Sequence, residues 1–224
     1  MGVISLDRAD SLFWLGRYTE RVFTTVKVFF DYYDQMIDEN EEAYKKLCEK
    51  LAIPDVYGSK EVFVTDYILN ENDPNSVISN MQRAYDNAIV SRDDVSTESM
   101  AYLELCLQAI RKEQGSPAPL FELQSVIDDI YAFWGSIDDC IIDEENRNIV
   151  KCGRYVERMD LLLRLGYGYA AIEKEFKKFS NRLERVRIGY NAAKVQELAA
   201  LVARKDEFEG LRMQILMTLQ QVFA

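Results

Sequence analysis

A six-residue motif that combines two arginines with a glutamate occurs twice in the sequence. Residues 16–21 read Gly-Arg-Tyr-Thr-Glu-Arg and residues 153–158 read Gly-Arg-Tyr-Val-Glu-Arg, so five of six positions match at an offset of 137 (153 minus 16). Guanidinium groups bind carboxylates and phosphates through paired N–H donors. The repeat indicates either two related halves of one fold or two helices that converge on one site.

Helical geometry places the charged side chains of the motif together. At about 100° per residue, Arg17, Glu20 and Arg21 share one side of an α-helix, and the apolar stripe that includes Leu12 lies opposite. The second copy has the same arrangement, but there Leu161 continues along the charged face. We therefore expect the second helix to be central and buried.

The motif leaves two interpretations open. Gly16 and Gly153 each cost a helix about 1 kcal/mol relative to alanine, so another backbone or a bound group should come close to them. Either Arg–Glu ladders join the two halves, or the four arginines line a cleft that binds a carboxylate or phosphate. The candidates for anion or partner binding are Asp10, Trp14, Arg17, Tyr18, Glu20, Arg21, Arg154, Tyr155, Glu157 and Arg158.

Other charged stretches are interpreted first as solvated faces. An acidic cluster follows Asp128, and a basic segment between Lys174 and Arg187 could instead dock an acidic partner. The sequence has no histidine, which excludes serine–histidine and cysteine–histidine catalysis. Its four cysteines are scattered, so we expect free thiols, three of them in apolar surroundings. No metal site and no cofactor are predicted.

The composition restricts the partners. With a net charge of −11 and a pI of about 4.7, the chain should repel nucleic acid and anionic membrane surfaces. No apolar run approaches the roughly 20 residues that span a bilayer, and the first residues do not resemble a signal peptide. We expect a cytoplasmic protein; the sequence does not define its oligomeric state.

Hydrophobic periodicity predicts an all-α fold, a single helical bundle with long helices and two related halves, at about residues 1–113 and 119–224. A Gly/Ser/Pro linker joins the halves. Only the segment from Lys60 to Leu69 could be either a helical turn or a strand. The predicted helices run over about 7–37, 43–52, 74–91, 97–113, 120–142, 144–171, 173–205 (with an interruption near Gly189) and 207–223.

Three stretches resemble the bacterial alpha-E domain family, catalogued as a domain of unknown function. The first runs from Ala9 to Arg21, the second starts at Arg83-Ala84-Tyr85-Asp86-Asn87-Ala88, and the third is the second copy of the motif at residues 153–158. Where that family carries a second arginine in the middle stretch, this chain has Ile89 and Val90. The second stretch adds the candidates Arg83, Asn87, Arg92, Asp93, Ser96 and Glu98.

The resemblance implies a function class as well as a fold. Members of the family are bacterial or archaeal, and are encoded beside or fused to an ATP-grasp protein, often near a transglutaminase-like protease. We therefore expect an accessory or co-catalytic partner of an ATP-grasp-type ligase that makes or modifies a peptide-like product. A stand-alone enzyme that forms or cleaves amide bonds, using Arg17, Glu20, Arg154 and Glu157, and a purely structural scaffold stay open as alternatives.

Overall fold

The longest helix, α1, begins at Leu6 and ends at Asp38. The structure is a computed structural model that describes residues 5–112 and 119–223. Ser5 caps α1, because its Oγ accepts a hydrogen bond from the Arg8 amide at 3.4 Å. Its most extensive neighbours are α7 (Glu144–Leu165) and α4 (Val77–Val90), so α1 is buried on more than the apolar stripe that periodicity predicts.

The described residues contain helices and no strand, which confirms the predicted all-α fold. The segment that could have been a strand is helical, and Ser59 caps it by accepting from the Val62 amide. A short 3₁₀ helix, Lys205–Glu207, precedes the last α-helix. The helices are α1 (Leu6–Asp38), α2 (Ala43–Leu51), α3 (Lys60–Leu69), α4 (Val77–Val90), α5 (Thr97–Lys112), α6 (Pro119–Cys140), α7 (Glu144–Leu165), α8 (Tyr169–Leu183), α9 (Ala192–Val202) and α10 (Phe208–Gln220).

Two predicted helix limits are wrong, each because of a local backbone signal. The helix expected to begin at Pro74 begins at Val77, because Ser76 supplies the side-chain cap. The helix expected to continue to residue 171 ends at Leu165, because Gly166 takes a left-handed conformation with φ of 86°. The interruption predicted near Gly189 is confirmed, because the segment expected to be helical over 173–205 is broken from 184 to 191.

The second copy of the motif lies on α7, and this helix is central as expected. Its buried residues cover most of its circumference, including the polar Asn148, Glu157 and Asp160. The predicted linker between the halves falls almost entirely on residues 113–118, outside the described residues. None of the helices in the described ranges is both long enough and apolar enough to cross a membrane.

Candidate functional site

The two motif glycines lie where α1 and α7 cross. A Cβ atom added at Gly16 would lie 2.0 Å from the carbonyl oxygen of Val150, and one added at Gly153 would lie 2.0 Å from that of Phe13. No side chain fits there, so both glycines permit direct backbone contact between the helices. Phe13 and Val150 are themselves 137 residues apart, and the two close contacts therefore obey the same offset as the motif.

Each glutamate of the motif is paired with the arginines of the other helix. Glu157 accepts from the Nε of Arg17 at 2.7 Å and from the Nε of Arg21 at 2.6 Å. The terminal nitrogen Nη1 of Arg21 also donates to Asn80 Oδ1, at 3.3 Å. The Glu157 side chain is only 2% exposed, so its charge depends on these partners.

Glu20 has the equivalent position in the other direction. It accepts from the Nε of Arg154 at 3.3 Å and, through both carboxylate oxygens, from Arg158 at 2.6 and 2.8 Å. The Thr24 hydroxyl donates to the same carboxylate at 2.9 Å. Glu20 is fully buried. The motif thus forms an Arg–Glu ladder across the crossing, with two arginines bound to each glutamate.

The pKa shifts reflect how completely these charges are compensated. Burial alone would raise the pKa of the Glu157 carboxyl, but the charges of Arg21 and Arg17 outweigh it and lower the pKa below its ordinary 4.5. Burial lowers the pKa of the Arg154 guanidinium, and the charge of neighbouring Arg158 adds to this, while Glu20 only partly opposes it. Burial thus outweighs the pairing of Arg154 with Glu20.

Both tryptophans of the chain lie against a motif arginine. The guanidinium carbon of Arg17 is 4.6 Å from the ring centroid of Trp14, and that of Arg154 is 4.2 Å from Trp134. These distances are typical of cation–π interactions, so each guanidinium group is stabilised by an aromatic ring. Among the described residues, the terminal nitrogens of Arg17 and Arg154 have no hydrogen-bond acceptor.

The four arginines are divided between two clefts. The first, which we call the Arg17 cleft, has a volume of about 230 Å³ and is polar. Its wall includes Arg17, Arg21, Asn80, Asp160 and Arg164. Asp160 accepts from Arg164 Nε at 2.6 Å and from the side-chain amide of Gln220 at 3.0 Å.

An apolar groove of about 300 Å³ adjoins the Arg17 cleft. We call it the Trp14 groove, because Trp14 lies in its wall together with Asp10. Three residues line both the groove and the cleft: Arg17, Asp160 and Gln220. The remaining wall is largely apolar, formed by Leu6, Ala9, Phe13, Val156, Ile188, Gly189, Leu219 and Phe223.

The second cleft, which we call the Arg154 cleft, has a volume of about 290 Å³. Arg154, Arg158 and Lys27 line it, together with the aromatic residues Phe23 and Tyr131. The two clefts have no wall residue in common. They are separate clefts, each lined by the two arginines of one copy of the motif.

The walls of the two clefts correspond at the offset of 137. Six wall residues of the Arg17 cleft have their counterparts in the wall of the Arg154 cleft. With the residue of the Arg17 cleft named first, the pairs are Arg17 with Arg154, Arg21 with Arg158, Thr25 with Leu162, Asp160 with Phe23, Leu161 with Thr24, and Arg164 with Lys27. Sequence reasoning missed the last pair; extending the repeat beyond the six-residue motif would have found it.

The two motif tyrosines have different surroundings. Tyr18 is partly exposed and packs between the guanidinium groups of Arg21 and Arg83, at 5.5 and 5.7 Å from its ring centroid. Tyr155 is buried, and Lys178 of α8 lies 5.6 Å from its ring. Tyr18 thus lies beside the motif arginines, whereas Tyr155 joins α7 to α8.

The candidates of the middle stretch mainly stabilise local structure. Arg83 donates to the Pro74 carbonyl at 2.7 Å, and Asn87 donates to the Arg83 carbonyl at 2.8 Å. Ser96 caps α5, because its Oγ accepts from the Ser99 amide at 3.0 Å. Of the remaining three, Arg92 is exposed in the turn before α5, and Asp93 lies 3.8 Å from Arg8. Glu98 lies in the first turn of α5.

The four thiols are free, and three are buried as expected. Burial raises the pKa of Cys48 and of Cys152 to about 12, and that of Cys106 well above 9.0. These thiols stay protonated near neutral pH, whereas the reactive nucleophilic form of cysteine is the thiolate. In the part of the chain that the structure describes, no three Cys, Asp or Glu residues are grouped as a metal site requires.

The fold and the crossing define an all-α protein organised around a glycine-mediated helix contact and an Arg–Glu ladder. The chain belongs to the Alpha-E family, described as a predicted alpha-helical domain with a conserved ER motif, whose model matches residues 8–201. Glu-Arg pairs occur in both copies of the repeat, at 20–21 and 157–158. No curated protein and no solved structure shows a significant match.

Proposed function

We propose that this protein is an accessory, cytoplasmic partner of an ATP-grasp-type ligase and presents to it a peptide-like ligand, which it binds through the ligand's carboxylate. The class of partner, the ligase and a transglutaminase-like protein, is the one that the family resemblance implies. The observation that carries the binding role is the continuity of the Arg17 cleft with the Trp14 groove. A cationic pocket beside an apolar one suits a peptide end with a free carboxylate and an apolar side chain.

The charges in the Arg17 cleft support an anionic ligand. Glu157 occupies only the Nε atoms of Arg17 and Arg21, and Asp160 is shared by Arg164 and Gln220. Three guanidinium groups therefore meet two carboxylates, which leaves one positive charge and the terminal nitrogens of Arg17 for a ligand. Guanidinium forks bind carboxylates in a bidentate manner, so one carboxylate would complete this charge balance.

The Trp14 groove offers a direct test with a short peptide. In a Trp134→Phe background, Trp14 is the single tryptophan and its emission can be excited selectively over that of the tyrosines; the exchange removes a buried indole N–H that has no acceptor among the described residues. We expect an N-acetylated tripeptide ending in leucine to change the Trp14 fluorescence on binding. The same peptide with an amidated C-terminus should bind at least about tenfold more weakly, because the charge-assisted hydrogen bonds are lost.

Arg164→Gln should weaken binding of the free-carboxylate peptide by roughly tenfold. The matched control is Lys27→Gln, the equivalent position of the Arg154 cleft, which should leave peptide affinity unchanged. Equal affinity for the amidated peptide, or equal effects of the two variants, would contradict a carboxylate site in the Arg17 cleft.

The partner role has its own test. We expect the ATP-grasp-type protein from the same source to modify a peptide in an ATP-dependent manner only when this chain is present, with product measured by mass spectrometry. The Arg164→Gln variant should give less product at low peptide concentration and approach the wild-type level when peptide is in excess, because it impairs binding. Full activity of the ligase alone would disprove the partner role and would leave the peptide-binding result unaffected.

A further inference from the structure

The Arg154 cleft differs from the Arg17 cleft in one charge. Where the Arg17 cleft has Asp160, the equivalent position of the Arg154 cleft is Phe23, and the wall of the Arg154 cleft contains no carboxylate among the described residues. Arg154 and Arg158 donate to the buried Glu20 beneath them, and Lys27 forms no ion pair with any described residue. Three cations thus face one carboxylate here, whereas three face two in the other cleft.

A further carboxylate beside Arg158 does not remove this excess. Glu175 lies 3.9 Å from Arg158 Nη1, but it already accepts from Lys178 at 2.9 Å through its other oxygen. Lys27 has no ion-pair partner in the described ranges, and its ammonium lies 5.3 Å from the Phe23 ring. Arg158 lies 5.5 Å from the same ring. Lys27, which has no ion-pair partner in the described ranges, and Arg158, which is paired with Glu20, therefore flank one aromatic side chain.

The geometry also provides free donors. Arg154 uses only its Nε on Glu20, so its terminal nitrogens are available, as are the three ammonium protons of Lys27. Burial and the charge of Arg158 lower the pKa of Arg154, and a bound anion would offset this unfavourable environment. Such a site favours a ligand with more than one negative charge, because a single carboxylate would leave part of the excess unbalanced.

We propose that the Arg154 cleft is a second anion site, specific for a phosphate dianion, carried as inorganic phosphate or as a phosphate monoester. Arg154 contacts phosphate oxygens through its two terminal nitrogens, Arg158 contributes its remaining Nη1, and Lys27 adds a point charge at the open side of the cleft. Phe23 and Tyr131, whose rings pack edge-on at 5.0 Å, provide an aromatic wall for the organic part of an ester. This site is independent of the peptide-binding role proposed for the Arg17 cleft.

The test is isothermal titration calorimetry of the full chain at pH 8 and low ionic strength, with inorganic phosphate, phenyl phosphate and acetate as the three probes. We expect phosphate to bind with a dissociation constant of about 1 mM or below, and acetate to bind at least about tenfold more weakly. Phenyl phosphate should bind more tightly than inorganic phosphate if the aromatic wall contacts an ester. Equal or weaker binding of phenyl phosphate would assign the site to inorganic phosphate.

Lys27 is exposed and forms no ion pair with the residues that the structure describes, so its variants should fold normally. Lys27→Gln should weaken phosphate binding by roughly tenfold, Lys27→Glu should abolish it, and Lys27→Arg should retain it. Arg164→Gln, the matched variant of the other cleft, should bind phosphate as the wild type does. Absence of phosphate binding in the wild type would overturn this proposal. So would a loss of phosphate binding in Arg164→Gln with unchanged binding in Lys27→Gln.

Discussion

Substitution of Gly16 by alanine should destabilise the protein by about 3 kcal/mol or more, although alanine is the better helix former. The added methyl group would lie 2.0 Å from the Val150 carbonyl oxygen and 3.0 Å from the Arg154 amide, both of them backbone atoms. Backbone cannot rotate away as a side chain does, so α1 and α7 would have to separate, at a cost beyond the usual 1–3 kcal/mol of overpacking. The gain in helix propensity, about 1 kcal/mol, is smaller. Urea unfolding followed by circular dichroism measures the loss.

The chain contains a matched control for this experiment. Gly135 lies within α6, and a Cβ atom there meets nothing within 4 Å. Gly135→Ala should therefore leave stability unchanged or raise it by up to about 1 kcal/mol. Similar effects of Gly135→Ala and Gly16→Ala would mean that the close contact at the crossing does not determine stability.

The equivalent position of Gly16 in the second copy of the motif, Gly153, should respond in the same way to substitution. Gly153→Ala, which would contact the Phe13 carbonyl oxygen at the same distance, should cost about as much as Gly16→Ala. The double variant should cost less than the sum of the two, because the helices that one methyl group has separated already accommodate the second. Strict additivity would contradict a single shared contact.

The sequence predicted the fold class and the close approach at the glycines because both depend on local information. Apolar periodicity identified the helices, and a costly glycine such as Gly16 in a helix interior predicted a nearby backbone. The helix ends at Gly166 and Val77 were harder to locate, since an apolar pattern continues across the first and Pro74 offers a competing start for the second.

The arrangement of the arginines could not be derived from one helix. Periodicity places Arg17, Glu20 and Arg21 on a common face, but it does not say that Glu20 pairs with arginines of the other helix. The pairing between helices follows from the crossing at the glycines, which brings each glutamate between the arginines of the opposite copy. Residues such as Asn80, which contacts Arg21 from α4, belong to a third element and had no signal in the motif.

The second large effect should come from the buried carboxylates. Glu157→Gln should lower the free energy of unfolding at pH 7 by about 3–5 kcal/mol, because it leaves Arg17 and Arg21 without a charge partner in a buried site. The new amide group also brings N–H donors towards guanidinium donors. Glu71 provides the control. It forms an ion pair with Arg111 at 3.5 Å, and both side chains are about half or more exposed. Glu71→Gln should change stability by no more than about 0.5 kcal/mol.

The difference between wild type and Glu157→Gln should itself depend on pH. The Glu157 carboxyl has a lowered pKa in the folded protein, so its contribution to stability is fully present above its ordinary pKa of 4.5. That contribution is lost as the pH falls through the lowered folded pKa, and the glutamine variant has no such titration. Urea unfolding of both proteins between pH 7 and about 3 should therefore show their stabilities converging at the acidic end. A gap that stays constant over this range would mean that the ladder stabilises the crossing through shape and hydrogen bonds, and that its ion pairs add no net free energy.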